Sequence, residues 1–446
     1  MGLRLASSQF WIDRNSDKFL QTFRRVRLMP LYSMPHIKDL DLNLRDNTRK
    51  IFFHMDIDCF FAQVEERDNP KFKGQPISVG GWGEGAGGIV MTCNYEARKR
   101  GVDTGMSVVQ AKMICPKLIS LPCDGVKYES IIFDIQDVVK KYFPEDCMEQ
   151  YSIDECFWDG SQIFRDINEA EKFAIKLKEE IYKRQKLTVS IGLSYNKSYA
   201  KMATKFNKPN GLSVVRPSDK EKLIYPLPCD KLWGIAHRMY RRFLGMNIIT
   251  LGDLANCNSH RIRKEFGING IVLQKCAKGL DTSGIFVKPE NSEKMIGHHN
   301  TLHKGINDKA EILKELRSMC EYVARKLRYK NLVTGRIFLY MRYENLMSFA
   351  EEYKLPMSGA GEYKLPFYTN DDEEIFLASF EILKNFQFAP GRFLKLKMTG
   401  VNCTDLHKDT GERNLNLFSQ EKNLPFKEMD ILKMKYGEKI IRLGLS

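Results

Sequence analysis

The stretch Ile51-Phe52-Phe53-His54-Met55-Asp56-Ile57-Asp58-Cys59-Phe60-Phe61-Ala62-Gln63-Val64-Glu65 decides the reading of this chain. Its first five residues form a short, nearly continuous apolar run, the pattern of a buried strand. The run ends in two carboxylates, Asp56 and Asp58, and a helix is expected over Ala62 to Glu66. A carboxylate at the end of a buried strand is costly unless something pairs with it.

A second acidic site lies further along, in Tyr151-Ser152-Ile153-Asp154-Glu155-Cys156-Phe157-Trp158. It also reads as strand-like. Buried alone, either site would destabilise the chain. Together, Asp56 and Asp154-Glu155 could hold two divalent cations ~3.5–4 Å apart. Hard oxygen ligands and sparse histidine favour Mg²⁺ over zinc or copper. Such a pair suits in-line phosphoryl transfer: one ion activates a hydroxyl and the other holds a triphosphate. Tyr95, Arg98 and Lys208 would complete the site through a hydroxyl donor, a bidentate guanidinium and a point charge. The competing reading makes these acids helix caps or ion-pair partners.

Working outward, the 446 residues are 43% hydrophobic and 11% aromatic. That supports two to four packed domains and excludes a mostly disordered chain. Net charge is +14, but residues 51–210 carry −1 and 211–446 carry +10. A near-neutral block followed by a basic one suggests chemistry in the first and a polyanion held by the second. No apolar stretch is long enough to span a membrane. Eleven cysteines without a C-x-x-C spacing read as reduced thiols in a cytosol.

Residues 1–49 are expected to be a poorly ordered extension, and Gly80 to Gly88 a flexible hairpin connection. Ile89 to Cys93 reads as a strand and Tyr95 to Arg100 as the start of a helix. Leu187 to Leu193 is β-rich and leads to a helix carrying Lys201 and Lys205. Lys208-Pro209-Asn210-Gly211 closes that helix. Leu232-Trp233-Gly234-Ile235-Ala236-His237, a helix, and Thr250 to Leu254 then outline a helix-hairpin-helix, whose tight turn offers N–H groups to a phosphate. From 290 to 405 the chain is α/β. In one strand Arg336, Phe338, Tyr340 and Arg342 share a face opposite Ile337, Leu339 and Met341. In another, Leu394, Leu396 and Met398 are expected to face a core, with Lys395, Lys397 and Thr399 outward. A basic, aromatic sheet face fits a nucleic-acid backbone.

The segments Asp56 to Glu65, Asn94-Tyr95-Glu96-Ala97-Arg98, Tyr151 to Glu155, and Ser194-Tyr195-Asn196-Lys197 through Gly211 resemble the Y-family translesion DNA polymerases, most closely the DinB branch. The likeness spans about residues 50–405. It implies a multidomain α/β right-hand fold: a palm of 50–59 and 123–213, fingers of 60–122, a helix-hairpin-helix thumb of 214–285, and an α/β little finger of 290–405. It implies two Mg²⁺ held by Asp56, Asp154, Glu155 and the carbonyl of Ile57. Strand alternation alone would nominate Asp58 beside Asp56; the family pattern does not make it a main ligand. Phe61 matches a steric gate against the ribose 2′-hydroxyl. Tyr95, Arg98 and Lys208 match triphosphate contacts, and Ile89 and Met91 match positions roofing the nascent base pair. Gly234 and Ile235 fall in the DNA-gripping hairpin, where Ala236 replaces a usual glycine. Arg336, Arg342, Lys395 and Lys397 are the candidate DNA contacts of the little finger.

In the tail, 406–446, Asn414-Leu415-Asn416-Leu417-Phe418 is similar to the sliding-clamp peptide of bacterial polymerases, with Asn414 where Gln is usual. The expected protein is a monomeric, template-directed, low-fidelity polymerase of the bacterial cytoplasm, associated with the nucleoid when active. Its partners are primer-template DNA, deoxynucleoside triphosphates and a sliding clamp. Two other readings compete: a palm-type enzyme such as a nucleotidyl cyclase, and a non-catalytic clamp-tethered DNA binder. Primer extension with Mg²⁺ separates all three.

Overall fold

The computed structural model describes residues 49–80, 88–281, 283–286, 293–343, 358–385 and 395–410. The N-terminal extension to residue 48, positions 81–87, Leu394 and the Asn414–Phe418 motif lie outside the described residues. The chain divides into two compact units, Met1–Lys288 and Pro289–Ser446.

In the first unit a five-stranded sheet runs in the order β5-β6-β1-β7-β8. Its strands are β1 (Phe52–Ile57), β5 (Met148–Gln150), β6 (Glu155–Asp159), β7 (Val189–Ser194) and β8 (Leu212–Val215). β1 is central and pairs antiparallel with both β6 and β7. Alternation sends Phe53, Met55 and Ile57 into an apolar cluster that includes Trp158, Phe143, and residues of α4 (Gly125–Lys140) and α5 (Ile167–Gln185). His54 and Asp56 take the other side of the pleat. There His54 meets Thr204, just past α6 (Lys197–Ala203). All seven residues of α6 are buried. α6 can lie this close because residue 192 is glycine: a Cβ there would meet the Ala200 carbonyl at 2.1 Å.

Helix α1 (Phe60–Asp68) leaves the end of β1 through Cys59, whose φ of 38° is left-handed. A small three-stranded sheet, β3-β2-β4, carries β2 (Ile77–Val79), β3 (Thr92–Cys93) and β4 (Ile119–Leu121). Helices α2 (Tyr95–Arg98) and α3 (Val108–Ile114) accompany it. The strand expected over 89–93 is thus only two residues long. Ile89 makes a lone bridge to Ser107, and Ile89 and Met91 are exposed, so no ladder extends over them. The helix with Lys201 stops at Ala203, leaving Lys205 in the following turn.

Further helical segments, α7 (His237–Gly245), α8 (Leu251–Asn256) and α9 (Ser259–Ala277), the last broken by a kink at Gly267, share an apolar core with Tyr199, Val215 and Leu232. Gly234, at φ 96°, makes the tight turn before α7. Ala236 has φ −84° and ψ 165°, ordinary extended backbone, so alanine fits there without strain.

The second unit is a four-stranded antiparallel sheet, β11-β10-β12-β9. It comprises β9 (Met295–Ile306), β10 (Leu332–Tyr343), β11 (Ser358–Thr369) and β12 (Leu396–Lys408), with helices α10 (Lys309–Tyr329) and α11 (Asp372–Asn385). Ile337, Leu339 and Met341 of β10 pack into a cluster with residues of both helices. Arg336, Phe338, Tyr340 and Arg342 fall on the other face, half-buried to exposed. β12 departs from the expected alternation. Arg342 pairs with Met398 and Tyr343 with Leu396, so Lys397 is an extra residue, a β-bulge. The bulge reverses the parity: Thr399, Val401 and Cys403 are buried, whereas Met398 is only half-buried.

Candidate active site

Asp56 and Glu155 are directly paired across β1 and β6, so their side chains leave the sheet on one face. Asp154 is not on a strand. It sits in the turn between β5 and β6, whose peptide carbonyl accepts a hydrogen bond from the Ile57 N–H at 3.1 Å. The two acidic segments thus meet, one through a strand and one through a turn.

Each carboxylate is occupied. Asp56 is ion-paired with Lys208, and Glu155 with Lys201. Asp154 accepts from the Ser152 hydroxyl at 2.6 Å, and Ser152 also reaches Glu155 at 3.4 Å. Behind Glu155 stands His54, Nε2 3.6 Å from the carboxylate. Burial, then the charge of Lys201, holds His54 well below its ordinary pKa. Among the described residues, no three Asp, Glu, His or Cys side chains converge as a ready-made cation cage. What converges is negative charge at one end of the central strands, balanced by two lysine ammonium groups.

Burial is the largest influence on Asp56 and raises its pKa to about 6; Lys208 opposes the rise, and Asp154 and Glu155 add to it. A raised folded value means that ionising Asp56 costs the native state. Without metal, stability is lost as pH climbs from the ordinary carboxyl value, 3.8, through about 6, and it stays lost above. Asp56→Asn should therefore unfold later than wild type near pH 7.5 in EDTA, by up to about 3 kcal/mol, and show no advantage below about pH 4. Denaturation curves at the two pH values check this. Equal stability at both would show that the ionised Asp56 carries no such cost.

Phe61, in the first turn of α1, is 8% exposed. Its ring stacks on Tyr128 at 4.2 Å and 15°. Tyr95 and Arg98 both belong to α2. The Tyr95 hydroxyl donates to Asp58 at 3.4 Å, and the Arg98 guanidinium lies over the Tyr95 ring. Burial, then Asp58, raises the Tyr95 pKa, so its hydroxyl stays a proton donor. Lys208 is brought to Asp56 by the turn that ends at Gly211. Gly234 and Ile235 sit in the turn before α7, with Ile235 buried. In the second unit, Arg342 and Lys395 are exposed, Lys397 is half-buried at the bulge, and Arg336 pairs with Glu362.

Sequence reasoning did not single out Ser152 or His54, nor the pairing of Lys201 with Glu155. Ser152 was detectable as a hydroxyl two residues before Asp154. The Lys201 pairing needed the crossing of α6 over the sheet, which no local pattern encodes.

Residues 55–205 match the impB/mucB/samB family and 293–417 its C-terminal domain. The DNA polymerase IV of Streptococcus agalactiae is 33% identical over 371 residues, covering 82% of this chain and 96% of its own. DNA polymerase IV 1 of Bacillus subtilis is 31% identical, covering 89% and 93%. Among solved structures, a Y-family DNA polymerase chimera of Dbh and Dpo4 superposes with a TM-score of 0.69 at 28% identity, over 80% of this chain and 98% of its own. DinB from Sulfolobus solfataricus gives 0.52 at 28% identity, over 79% and 98%. The chain belongs to the impB/mucB/samB family and is a Y-family polymerase of the DinB-like kind. Its activity is that of a DNA-directed DNA polymerase of the translesion class, a family that uses divalent metal. Among the described residues no helix is long and apolar enough to cross a membrane.

Proposed function

We propose that this polymerase adds deoxynucleotides to a primer 3′-end by two-metal nucleotidyl transfer centred on Asp56, Asp154 and Glu155. One observation carries the reading: two carboxylates paired across adjacent strands, with a third in the adjoining turn, balanced by two lysines. A site that needs this much positive charge fits a cation pair. Asp56, Asp154, Glu155 and the Ile57 carbonyl would hold two Mg²⁺, which when bound lower the pKa of the attacking hydroxyl and neutralise the triphosphate. Lys208, Arg98 and Tyr95 bind the triphosphate by charge and hydrogen bonds. Phe61 lies against the sugar, and Ile89 and Met91, exposed and apolar, cover the base pair.

On this reading 50–59 and 123–213 form the palm, 60–122 the fingers, 214–285 the thumb and 290–405 the little finger. Gly234 and Ile235 grip a DNA phosphate; Arg336, Arg342, Lys395 and Lys397 hold the backbone without reading sequence. The enzyme works as a monomer in the bacterial cytoplasm, on the nucleoid. Mg²⁺-dependent primer extension by the full chain tests the whole reading; a protein that binds DNA but never extends a primer would overturn it.

Phosphate contacts alone limit processivity, which gives Asn414, Leu415, Leu417 and Phe418 a role as a sliding-clamp peptide. Tethering to a ring on DNA raises the effective concentration of enzyme at the primer. Leu417→Ala with Phe418→Ala should leave clamp-free extension unchanged and remove stimulation by the clamp. Stimulation equal to wild type would end the clamp reading.

A further inference from the structure

Asp58 follows β1 directly, two residues after Asp56, and is 1% exposed. Both its oxygens are spent. Oδ1 accepts from the Ser190 hydroxyl at 2.7 Å and the Tyr95 hydroxyl at 3.4 Å. Oδ2 accepts from the Asn210 N–H at 2.7 Å and the Thr188 hydroxyl at 3.0 Å. An ionised carboxylate offers about four lone-pair sites, so little acceptor capacity remains for a cation. Asp56, with one lysine on it, differs in kind.

The four donors come from three places. Thr188 immediately precedes β7 and Ser190 is its second residue. Asn210 belongs to the turn that carries Lys208, and Tyr95 begins α2. Ser190 extends the hold, since its Oγ also accepts from the Gly211 N–H at 3.2 Å. The turn is gripped from a second side by Lys178 of α5, whose Nζ donates to the carbonyls of Asn210 at 2.6 Å and Gly211 at 3.1 Å. Asn210 is left-handed, φ 52°.

We propose that Asp58 is a positioning residue: its carboxylate fixes the Lys208–Gly211 turn and parks the Tyr95 hydroxyl beside β1, so that Lys208 is preset before the nucleotide arrives and Tyr95 has only to turn its one proton from Asp58 to the triphosphate. This rests on the reading of Lys208 and Tyr95 given above. A buried carboxylate accepting charge-assisted bonds from separate elements holds them more tightly than neutral contacts would. Losing that hold leaves Lys208 free to sample positions away from the phosphates, and small misplacements of such groups cost heavily.

The test is single-turnover primer extension, giving nucleotide Kd and maximal rate separately, with a Mg²⁺ titration for each variant. Asp58→Ala should raise the nucleotide Kd about ten- to hundredfold, with the Mg²⁺ midpoint unchanged. Asp58→Asn keeps one acceptor for the Asn210 N–H and can turn its amide toward the Ser190 and Tyr95 hydroxyls. It should recover most of the affinity, to within about threefold of wild type. Should Asp58→Ala fail to fold, Ser190→Ala removes one donor and the relay to Gly211 and should raise the same Kd about threefold, Mg²⁺ again unaffected. A shifted Mg²⁺ midpoint with unchanged nucleotide Kd would make Asp58 a metal ligand and overturn the proposal. Unchanged nucleotide Kd in every soluble variant would also overturn it. Lys208→Ala, measured alongside, separates the two levels. If it leaves the nucleotide Kd unchanged, the triphosphate assignment itself fails. If it raises the Kd while Asp58→Ala does not, only the role of Asp58 fails.

Discussion

Asp154→Ala is expected to lower nucleotide addition at least about 10³-fold while primer-template affinity stays within about threefold of wild type. Asp56→Ala and Glu155→Ala should do the same, but they are less clean. Removing Glu155 strips Lys201, a buried ammonium 8% exposed, of its carboxylate partner. An uncompensated buried charge costs about 3–5 kcal/mol, so part of any loss would be a folding defect. Removing Asp56 frees Lys208, which is half-exposed and stays solvated, so its effect on rate mixes the lost carboxylate with a freed lysine rather than with a folding defect. Asp154 is half-exposed, on a turn, and its side chain bonds to the neutral Ser152 hydroxyl, so its loss leaves no ion behind. DNA affinity should hold because, on the proposed reading, it is drawn from lysines and arginines elsewhere. Gel shifts and extension on the same preparation measure both quantities. Near-normal extension by Asp154→Ala would remove this turn from the metal site.

How much of this could be read in the sequence depended on whether the signal was local. The β1 run, its carboxylates and the presence of α1 were legible because a short apolar run and a following helix are written in adjacent residues, although the helix begins at Phe60, two residues before the expected Ala62. The facing of β10 was legible because strict alternation persists from Arg336 to Arg342. β12 was misread at Lys397. A bulge inserts a residue without changing composition, and only the partner strand reveals the slipped register. The turn at 151–154 was misread as strand because Tyr151 and Ile153 look like strand residues; both are in fact partly or largely exposed. The role of Asp58 was hidden for a different reason. Its four donors lie at 95, 188, 190 and 210, and only the folded sheet gathers them.

Phe61→Ala is expected to raise the ratio of ribonucleotide to deoxynucleotide incorporation by about 10²-fold or more. The expected ratio follows from how firmly the ring is held. Phe61 stacks on Tyr128 at 4.2 Å and packs against Phe60 at 5.2 Å between centroids. Tyr128 is itself anchored: its hydroxyl donates to Glu65 at 2.6 Å, and Lys127 pairs with the same carboxylate at 2.5 Å. On the proposed reading, a ring braced from behind cannot swing aside for a 2′-hydroxyl, and the clash becomes discrimination. Truncation removes the clash and leaves room for the hydroxyl. It also costs the packing of a buried aromatic, about 3–5 kcal/mol in a well-filled core. The variant should therefore melt lower, and absolute rates will mix folding with catalysis. The ratio of the two substrates within one preparation is free of that mixture, because the folded fraction cancels. Lys127→Ala offers a milder test of the brace. It loosens Glu65 without opening the space under the sugar, and should raise the ratio only a few-fold. If wild type and Phe61→Ala use ribonucleotides in the same proportion, Phe61 is a core aromatic of α1 and the sugar is selected elsewhere.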